Sequence, residues 1–236
     1  EESMKREHDR FYLTEDSSKI KDSFIAVANE IEESFTGSVA DVGCATGAFP
    51  AYLKKRFPSA DISGIEYVDA LLEKAKEDSP SINFIKGDLM NETSISQRFD
   101  IITMLGVLCI FDDYEKALSN ALKWLKPNGK IILHNMINEY DIDVHIKYAP
   151  SSANYNEEVL ENGWNIISQK SLSLVCKKNS AKLFKVTPFE ISVDLEKNDD
   201  DIMRSWTEKN LEEKRTIFNA LHVRQPQKIA VICKNA

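Results

Sequence analysis

The chain has 236 residues, 42% of them hydrophobic and 29% charged, with a formal net charge of -8. That length suits one domain with a full core, and no stretch approaches the roughly 18 uninterrupted apolar residues of a membrane helix. The acidic balance without a basic run argues against broad binding to phosphate backbones, and Cys44, Cys109, Cys176 and Cys233 are too far apart for a disulfide framework or a C-x-x-C zinc site.

The opening EESMKREHDRFY is polar and lacks a hydrophobic signal region, which reads as a cytoplasmic chain. Within it His8, Phe11 and Tyr12 mix aromatic and polar groups. From Ile20 to Phe35, apolar residues at Ile20, Phe24, Val27, Ile31 and Phe35 recur at three- and four-residue steps and predict a helix packed on a sheet. Ser38 to Leu53, SVADVGCATGAFPAYL, then reads as a buried strand, a glycine turn from Gly43 to Gly47 and a helix opening, with Pro50 in the first helical turn where its missing N–H costs nothing. Free N–H groups behind such a turn suit hydroxyls, a carboxylate or phosphates. The dinucleotide fingerprint G-x-G-x-x-G would need glycine at Ala45 and Ala48, and the phosphate loop fails at Ala48 and Phe49.

A helix over Ala48 to Phe57 stops at Pro58, and a second strand, Ile62 to Ile65, finishes at Glu66. An acid at that strand end, 19 residues after Gly47, is placed to accept hydrogen bonds from ribose hydroxyls. A helix over Asp69 to Asp78, a strand over Ile82 to Lys86 and a fourth strand, Phe99 to Met104, continue the alternation. A helix over Tyr114 to Lys126 begins at Asp112-Asp113, ends in Lys126-Pro127-Asn128-Gly129 and leads into the strand Lys130 to His134. Five strand-helix units imply a parallel, doubly wound sheet with its ligand at the carboxyl ends of the strands. Asn135 to Tyr155 is a polar excursion leaving the fifth strand, the expected meeting point with substrate. Trp164 to Asn179 predicts a helix, Lys182 to Ile191 a sixth strand, and Asp194 to Asp201 an acidic loop. Met203 to Thr207 against Thr216 to Phe218 makes a hairpin, and Lys228 to Cys233 closes the chain.

Asp41 to Gly47, D-V-G-C-A-T-G, resembles motif I of the class I S-adenosylmethionine (SAM) dependent methyltransferases, usually written D-x-G-x-G-x-G, with Ala45 in place of the middle glycine. Leu105-Gly106-Val107-Leu108 and Leu125-Lys126-Pro127-Asn128-Gly129 are similar to later segments of that family, and the resemblance covers residues 37–135 firmly and the rest loosely. It implies a Rossmann-like methyltransferase fold: α/β, doubly wound, with a mostly parallel seven-stranded sheet and an antiparallel last strand. One domain over 1–236 is expected, with a leader and first helix (1–36), a cofactor core (37–135) and a substrate-side insertion with the sixth and seventh strands (136–236).

The implied cofactor is SAM, leaving S-adenosylhomocysteine as product, held by Asp41, Gly43, Cys44, Ala45, Gly47, Glu66, Tyr67, Asp88, Leu89, Leu105 and Gly106, with Asp88 and Leu89 at the adenine end. No metal is expected, because Leu105-Gly106 and His134-Asn135 stand where catechol-type enzymes of the family carry acidic ligands. Methyl transfer from a sulfonium needs alignment first and a general base only if the acceptor must lose a proton. His134, Asn135, His145 and Tyr148 are the catalytic candidates, with His8 in the leader. The expected acceptor is a small polar metabolite methylated on oxygen, since the [DN]-P-P-[YFW] motif of amine-methylating enzymes is absent. No nucleic-acid or membrane partner is expected. The segment Arg204-Ser205-Trp206-Thr207 resembles methyltransferases of polysaccharide pathways and suggests a sugar or phosphorylated capsule precursor. Two other readings stay open: an NAD-linked oxidoreductase, and a SAM-binding domain without catalysis.

Overall fold

A computed structural model of the chain describes residues 7–15, 19–151, 159–198, 203–219 and 221–235. The first half alternates β1 (Ser38–Val42), α2 (Ala48–Arg56), β2 (Asp61–Glu66), α3 (Asp69–Asp78), β3 (Asn83–Lys86), β4 (Phe99–Leu105), α4 (Tyr114–Lys123) and β5 (Leu125–Asn138), preceded by α1 (Asp22–Ala28). The second half adds three short strands, β6 (Lys147–Tyr148), β7 (Glu161–Asn162) and β8 (Ile167–Ser168). It continues with α5 (Gln169–Lys178), β9 (Ala181–Pro188), the hairpin β10 (Trp206–Lys209) and β11 (Arg215–Phe218), and β12 (Gln227–Lys234).

Among the described residues the main sheet runs β3-β2-β1-β4-β5-β12-β9, with β8 attached to the end of β5. Strands β1 to β5 are mutually parallel, and β12 is antiparallel to both β5 and β9. The alternation of strand side chains explains why these segments read as continuous apolar runs. Ala40, Val42, Ile102 and Met104 pack with α4 and α5 on one face, while Val39, Ile101, Ile132 and Ile229 pack with α1 and α2 on the other. From β1 the chain builds outward to β3, then crosses to the far side of β1 as β4. The resulting gap between the carboxyl ends of β1 and β4 is where such sheets bind ligands.

Several predicted boundaries move. The first helix stops at Ala28 instead of running to Phe35, because Glu30 and Ile31 switch to three-residue hydrogen bonds on Val27 and Ala28, and the Glu30 carbonyl accepts from Lys130 Nζ at 2.6 Å. Ile31 is buried all the same, so turns satisfy the helical periodicity. Helix α4 ends at Lys123, capped by the Trp124 backbone N–H donating to Asn120 O and Ala121 O, while the Trp124 indole N–H donates to Glu92 O at 2.9 Å. The expected Lys126 to Gly129 turn lies inside β5 as a register shift against β4, with Asn128 at φ 62°. Trp164 to Ser168 is not helical; α5 starts after Ser168, whose hydroxyl caps it by accepting from Ser171 N at 3.0 Å. The hairpin forms two to three residues later than predicted on its first strand, registered by Trp206 stacked on Phe218 at 5.0 Å. Of the polar excursion, Asn135 to Asn138 extend β5, and residues 152–158, with Tyr155, lie outside the described residues.

At the amino end of the sheet, Asp100 Oδ2 accepts from Ser38 N, Ser38 Oγ and Lys126 Nζ at 2.7–2.8 Å. Burial pushes this carboxyl up, but the lysine and the Ser38 donors outweigh it and hold it at about 2.

Candidate cofactor and acceptor site

At the carboxyl ends of β1, β2, β4 and β5 a cleft of about 880 Å³ opens, within the size range of small-molecule and cofactor sites. Its floor is the glycine turn. Gly43 has φ +71°, and a Cβ there would come within 2.5 Å of Val107 Cγ2, so glycine is required on both counts. Ala45 takes the same left-handed region, φ 48°, where glycine would be unstrained. Gly47 does not line the cleft; at φ +81° it caps α2 and packs against Phe84.

The turn's own donors are largely committed. Gly43 N and Cys44 N donate to Ile65 O, Gly47 N to Cys44 O, and Ala45 N to Glu66 Oε2 at 2.9 Å. A pyrophosphate cradle needs those N–H groups, so the expectation of free donors behind the turn is not met, and the site suits a ligand whose polar atoms meet side chains. Glu66 is the organising acid. Its Oε1 accepts from Tyr67 N and Val68 N at 2.8 and 2.9 Å, which ties the end of β2 to the turn. Burial raises its proton affinity, and the three backbone N–H groups oppose that. A carboxylate has about four acceptor positions, so capacity remains for a ligand hydroxyl.

Asp41 is buried beneath the turn with Oδ1 accepting from Thr103 Oγ1 at 2.8 Å. Burial pushes its carboxyl up to about 8, Thr103 opposes the rise, and the nearby Glu66 charge adds to it. The same burial, with both acids beside it, drives the Cys44 thiol well above its ordinary range. Asp88 holds the next strand end, its Oδ1 accepting from Met90 N at 2.8 Å and its own N–H donating to Ser94 Oγ. Tyr67, Leu89, Leu105 and Gly106 complete this end of the cleft, Gly106 at φ +69° with its N–H on His134 O at 2.8 Å.

The other end has walls that sequence reasoning did not single out. Ile110 and Phe111 supply apolar surface, as do Val159 and Leu160, and Lys147, Glu161 and Asn162 bring polar groups. The pairing of β6 with β7 creates this wall; Lys147 Nζ donates to Asp112 and to Asn162 Oδ1, and Asn162 Nδ2 donates to Ile110 O. Tyr12 of the leader closes one side, beside Asp9, Glu15 and Lys21. No local pattern marks Lys147 or Asn162, because what places them is a pairing across residues 149–160.

Of His134, Asn135, His145 and Tyr148, the structure brings only His134 to the cleft among the described residues. Asn135, next on the strand, faces the opposite side; its Oδ1 accepts from Cys109 N at 3.0 Å and positions the 3-10 helix Leu108–Ile110. His145 is exposed and outside the cleft wall. Tyr148 also stays off that wall, and its hydroxyl donates to Glu161 Oε2 at 2.7 Å. His8 falls in the 3-10 helix Glu7–Thr14. Among the described residues no three His, Cys, Asp or Glu side chains gather as a metal site, and no helix is long and apolar enough to cross a membrane.

A doubly wound sheet that opens a cleft at its switch point, over a glycine turn with an acid at the neighbouring strand end, defines a nucleotide-cofactor-binding α/β protein. Comparison with known proteins narrows the class. Residues 39–129 match the model of a methyltransferase domain family. A malonyl-[acyl-carrier protein] O-methyltransferase of Priestia megaterium is 26% identical over 160 residues, 66% of this chain and 57% of that protein. A trans-aconitate 2-methyltransferase of Deinococcus radiodurans is 30% identical over 116 residues, 47% and 44% of the two chains. The matches thus span about half the length of these relatives. Among solved structures, a chain in the complex of the Haloferax volcanii Trm112 methyltransferase activator with a methyltransferase superposes with a TM-score of 0.66 at 12% identity, covering 99% of this chain and 100% of that one. The O-methyltransferase of a trans-AT PKS multienzyme of Brevibacillus brevis, solved with S-adenosylhomocysteine, has a TM-score of 0.57 at 13% identity over 71% of this chain and 54% of that one. Over residues 39–129 the chain thus matches a methyltransferase domain family, and these solved structures share its fold.

Proposed function

We propose that this protein transfers a methyl group from SAM to an oxygen of a small polar molecule. The observation that carries the reading is a single cleft with two unlike ends. One end sets Glu66 and Asp88 on successive strand tips beside the close-approach glycine Gly43; the other is an apolar chamber with Lys147 and Asn162 on its wall. The residues present fit SAM. Glu66 keeps acceptor capacity for ribose hydroxyls, and Asp88 has Oδ1 turned to Met90 N, leaving its second oxygen for an adenine amino group. Leu89 gives the ring an apolar flank, and the committed N–H groups of the turn disfavour a dinucleotide.

When bound, SAM supplies an electrophilic methyl group on a positively charged sulfur. The chain's contribution is alignment and exclusion of water. Ile110, Phe111 and Leu160 exclude solvent from the acceptor end. The Arg204 to Thr207 segment, which carried the expectation of a sugar or capsule precursor, belongs to the β10 hairpin and contributes no wall to the cleft. The acceptor is therefore proposed no more narrowly than a small polar molecule.

Calorimetric titration with SAM, S-adenosylhomocysteine and NAD tests the cofactor, and a screen of hydroxylated metabolites with methyl-labelled SAM tests the transfer. Micromolar binding of both sulfur compounds and labelled product are the expected results. Binding of NAD with neither SAM nor S-adenosylhomocysteine would overturn the proposal.

A further inference from the structure

Helix α4 carries an amide on its buried side. Ala117, Leu118, Ala121 and Leu122 pack into the core, and Asn120 among them is only 4% exposed. An asparagine inside a helix is a poor helix former, and burying its amide costs further unless the group is hydrogen-bonded. Its partner lies outside the helix: Asn120 Nδ2 donates to Leu89 O at 2.9 Å. The partner is a carbonyl oxygen, which can only accept, so the amide nitrogen and not its oxygen makes this contact.

Leu89 O and Met90 N belong to one peptide group, planar and trans, so its oxygen and its N–H point in opposite directions and turn together. With the oxygen held by Asn120, the N–H is aimed at Asp88, whose Oδ1 accepts from Met90 N at 2.8 Å. Asp88 lines the cleft, and this bond fixes which of its two oxygens is left for a ligand. The neighbouring contacts act on other peptide groups. Asp88 N donates to Ser94 Oγ, and Asp88 O accepts from Ser94 Oγ and Asn91 N, which anchors the two preceding groups. Trp124, one turn after Asn120, holds the loop further on through its indole N–H on Glu92 O and leaves the Leu89–Met90 peptide untouched.

We propose that Asn120 is a positioning residue of the cofactor site: through the Leu89–Met90 peptide it sets the Asp88 carboxylate to accept from the amino group of adenine, and so determines the preference for a 6-amino over a 6-oxo purine. A 6-oxo purine puts carbonyl lone pairs against the free carboxylate oxygen and is disfavoured. Asn120 acts in this scheme through the peptide alone. The proposal rests on the methyltransferase reading for the identity of the ligand and for the place of Asp88 at its adenine end.

The test is calorimetric titration of the full chain with S-adenosylhomocysteine and with S-inosylhomocysteine, which carries an oxygen in place of the amino group. The wild-type protein should prefer the adenine compound at least about 10-fold, the worth of one hydrogen bond to a charged group. Asn120→Leu should bring that preference within about threefold, because the peptide is free to turn and the carboxylate with it. Trp124→Phe should lower the melting temperature and keep the wild-type preference, which a merely structural role of Asn120 would not separate. In an Asp88→Ala background, adding Asn120→Leu should leave the ratio where Asp88→Ala put it, since the two side chains act as one unit. Circular dichroism checks folding; should Asn120→Leu not fold, Asn120→Ser, too short to reach the Leu89 carbonyl, takes its place. A wild-type protein that binds both compounds equally overturns the proposal without recourse to any variant. So does a folded Asn120 variant with the full preference, or an equal loss of preference in Trp124→Phe. Failure of the wild-type protein to bind S-adenosylhomocysteine at all would instead strike the methyltransferase reading.

Discussion

Replacing Asp41 with asparagine should stabilise the empty protein, and increasingly so as pH rises. Asp41 is fully enclosed beneath the glycine turn, where Thr103 Oγ1 is its hydrogen-bond donor and its charged neighbour is another acid, Glu66. Its carboxyl is displaced upward from 3.8 to about 8 in the folded state. The native protein therefore binds this proton more tightly than the unfolded chain. This group's contribution to stability is greatest below about pH 4, falls across the window from about 4 to 8, and levels off above it. At ~1.4 kcal/mol for each pH unit of displacement, the full effect is on the order of 5 kcal/mol, an upper value because water and relaxation soften burial in real sites. The amide introduced by Asp41→Asn keeps an oxygen for Thr103, has nearly the same shape and carries no titrating proton. Melting temperatures of the two proteins without ligand, from pH 4.5 to 9, give the test. At roughly 2–4 °C per kcal/mol for a chain of this size, the variant should gain at least several degrees at pH 9 and little or nothing at pH 4.5. A difference that does not change with pH, or a variant less stable at pH 9, would refute the reasoning.

Glu66→Gln should weaken S-adenosylhomocysteine binding by ~1–3 kcal/mol and lower the melting temperature by a few degrees, because an amide cannot accept from the Ala45, Tyr67 and Val68 N–H groups with both of its heavy atoms; calorimetry and circular dichroism read the two effects separately. Ala45→Gly relieves a left-handed alanine worth ~1–2 kcal/mol and adds ~0.5–1 kcal/mol of backbone entropy cost, so urea unfolding should show a change between zero and about 1.5 kcal/mol in the stabilising direction. Lys147→Met should change acceptor KM at least several-fold while sparing S-adenosylhomocysteine affinity, since Lys147 belongs to the β6–β7 wall. His145→Ala, at an exposed position off the cleft, should leave both quantities at wild-type values; a loss of turnover there would show that the excursion folds over the site during catalysis.

Much of this architecture is local information. Apolar runs such as Phe99 to Met104 announce strands covered on both faces, the glycines of Asp41 to Gly47 announce a turn that something approaches, and Glu66 is placed by its distance from Gly47 along the chain. Each depends only on neighbours in sequence, so each is readable there. The first four strands formed where expected, and ten of the eleven residues assigned to the cofactor line one cleft, Gly47 being the exception.

What the chain order could not supply is decided by contacts between distant segments. His134 and Asn135 are equally polar and adjacent, and only the pleat of β5, fixed by its pairing with β4 and β12, turns one into the cleft and the other toward Cys109. Whether the turn's N–H groups are free depended on Ile65 and Glu66 arriving from β2 to take them. The length of the first helix depended on Lys130, a hundred residues later, reaching the Glu30 carbonyl. The acceptor wall exists because β6 pairs with β7, which brings Lys147 and Asn162 together from opposite ends of an irregular segment. Sequence period determined which residues are buried; the non-local hydrogen bonds and strand registers of the folded chain determined which of the remaining polar groups face the ligand.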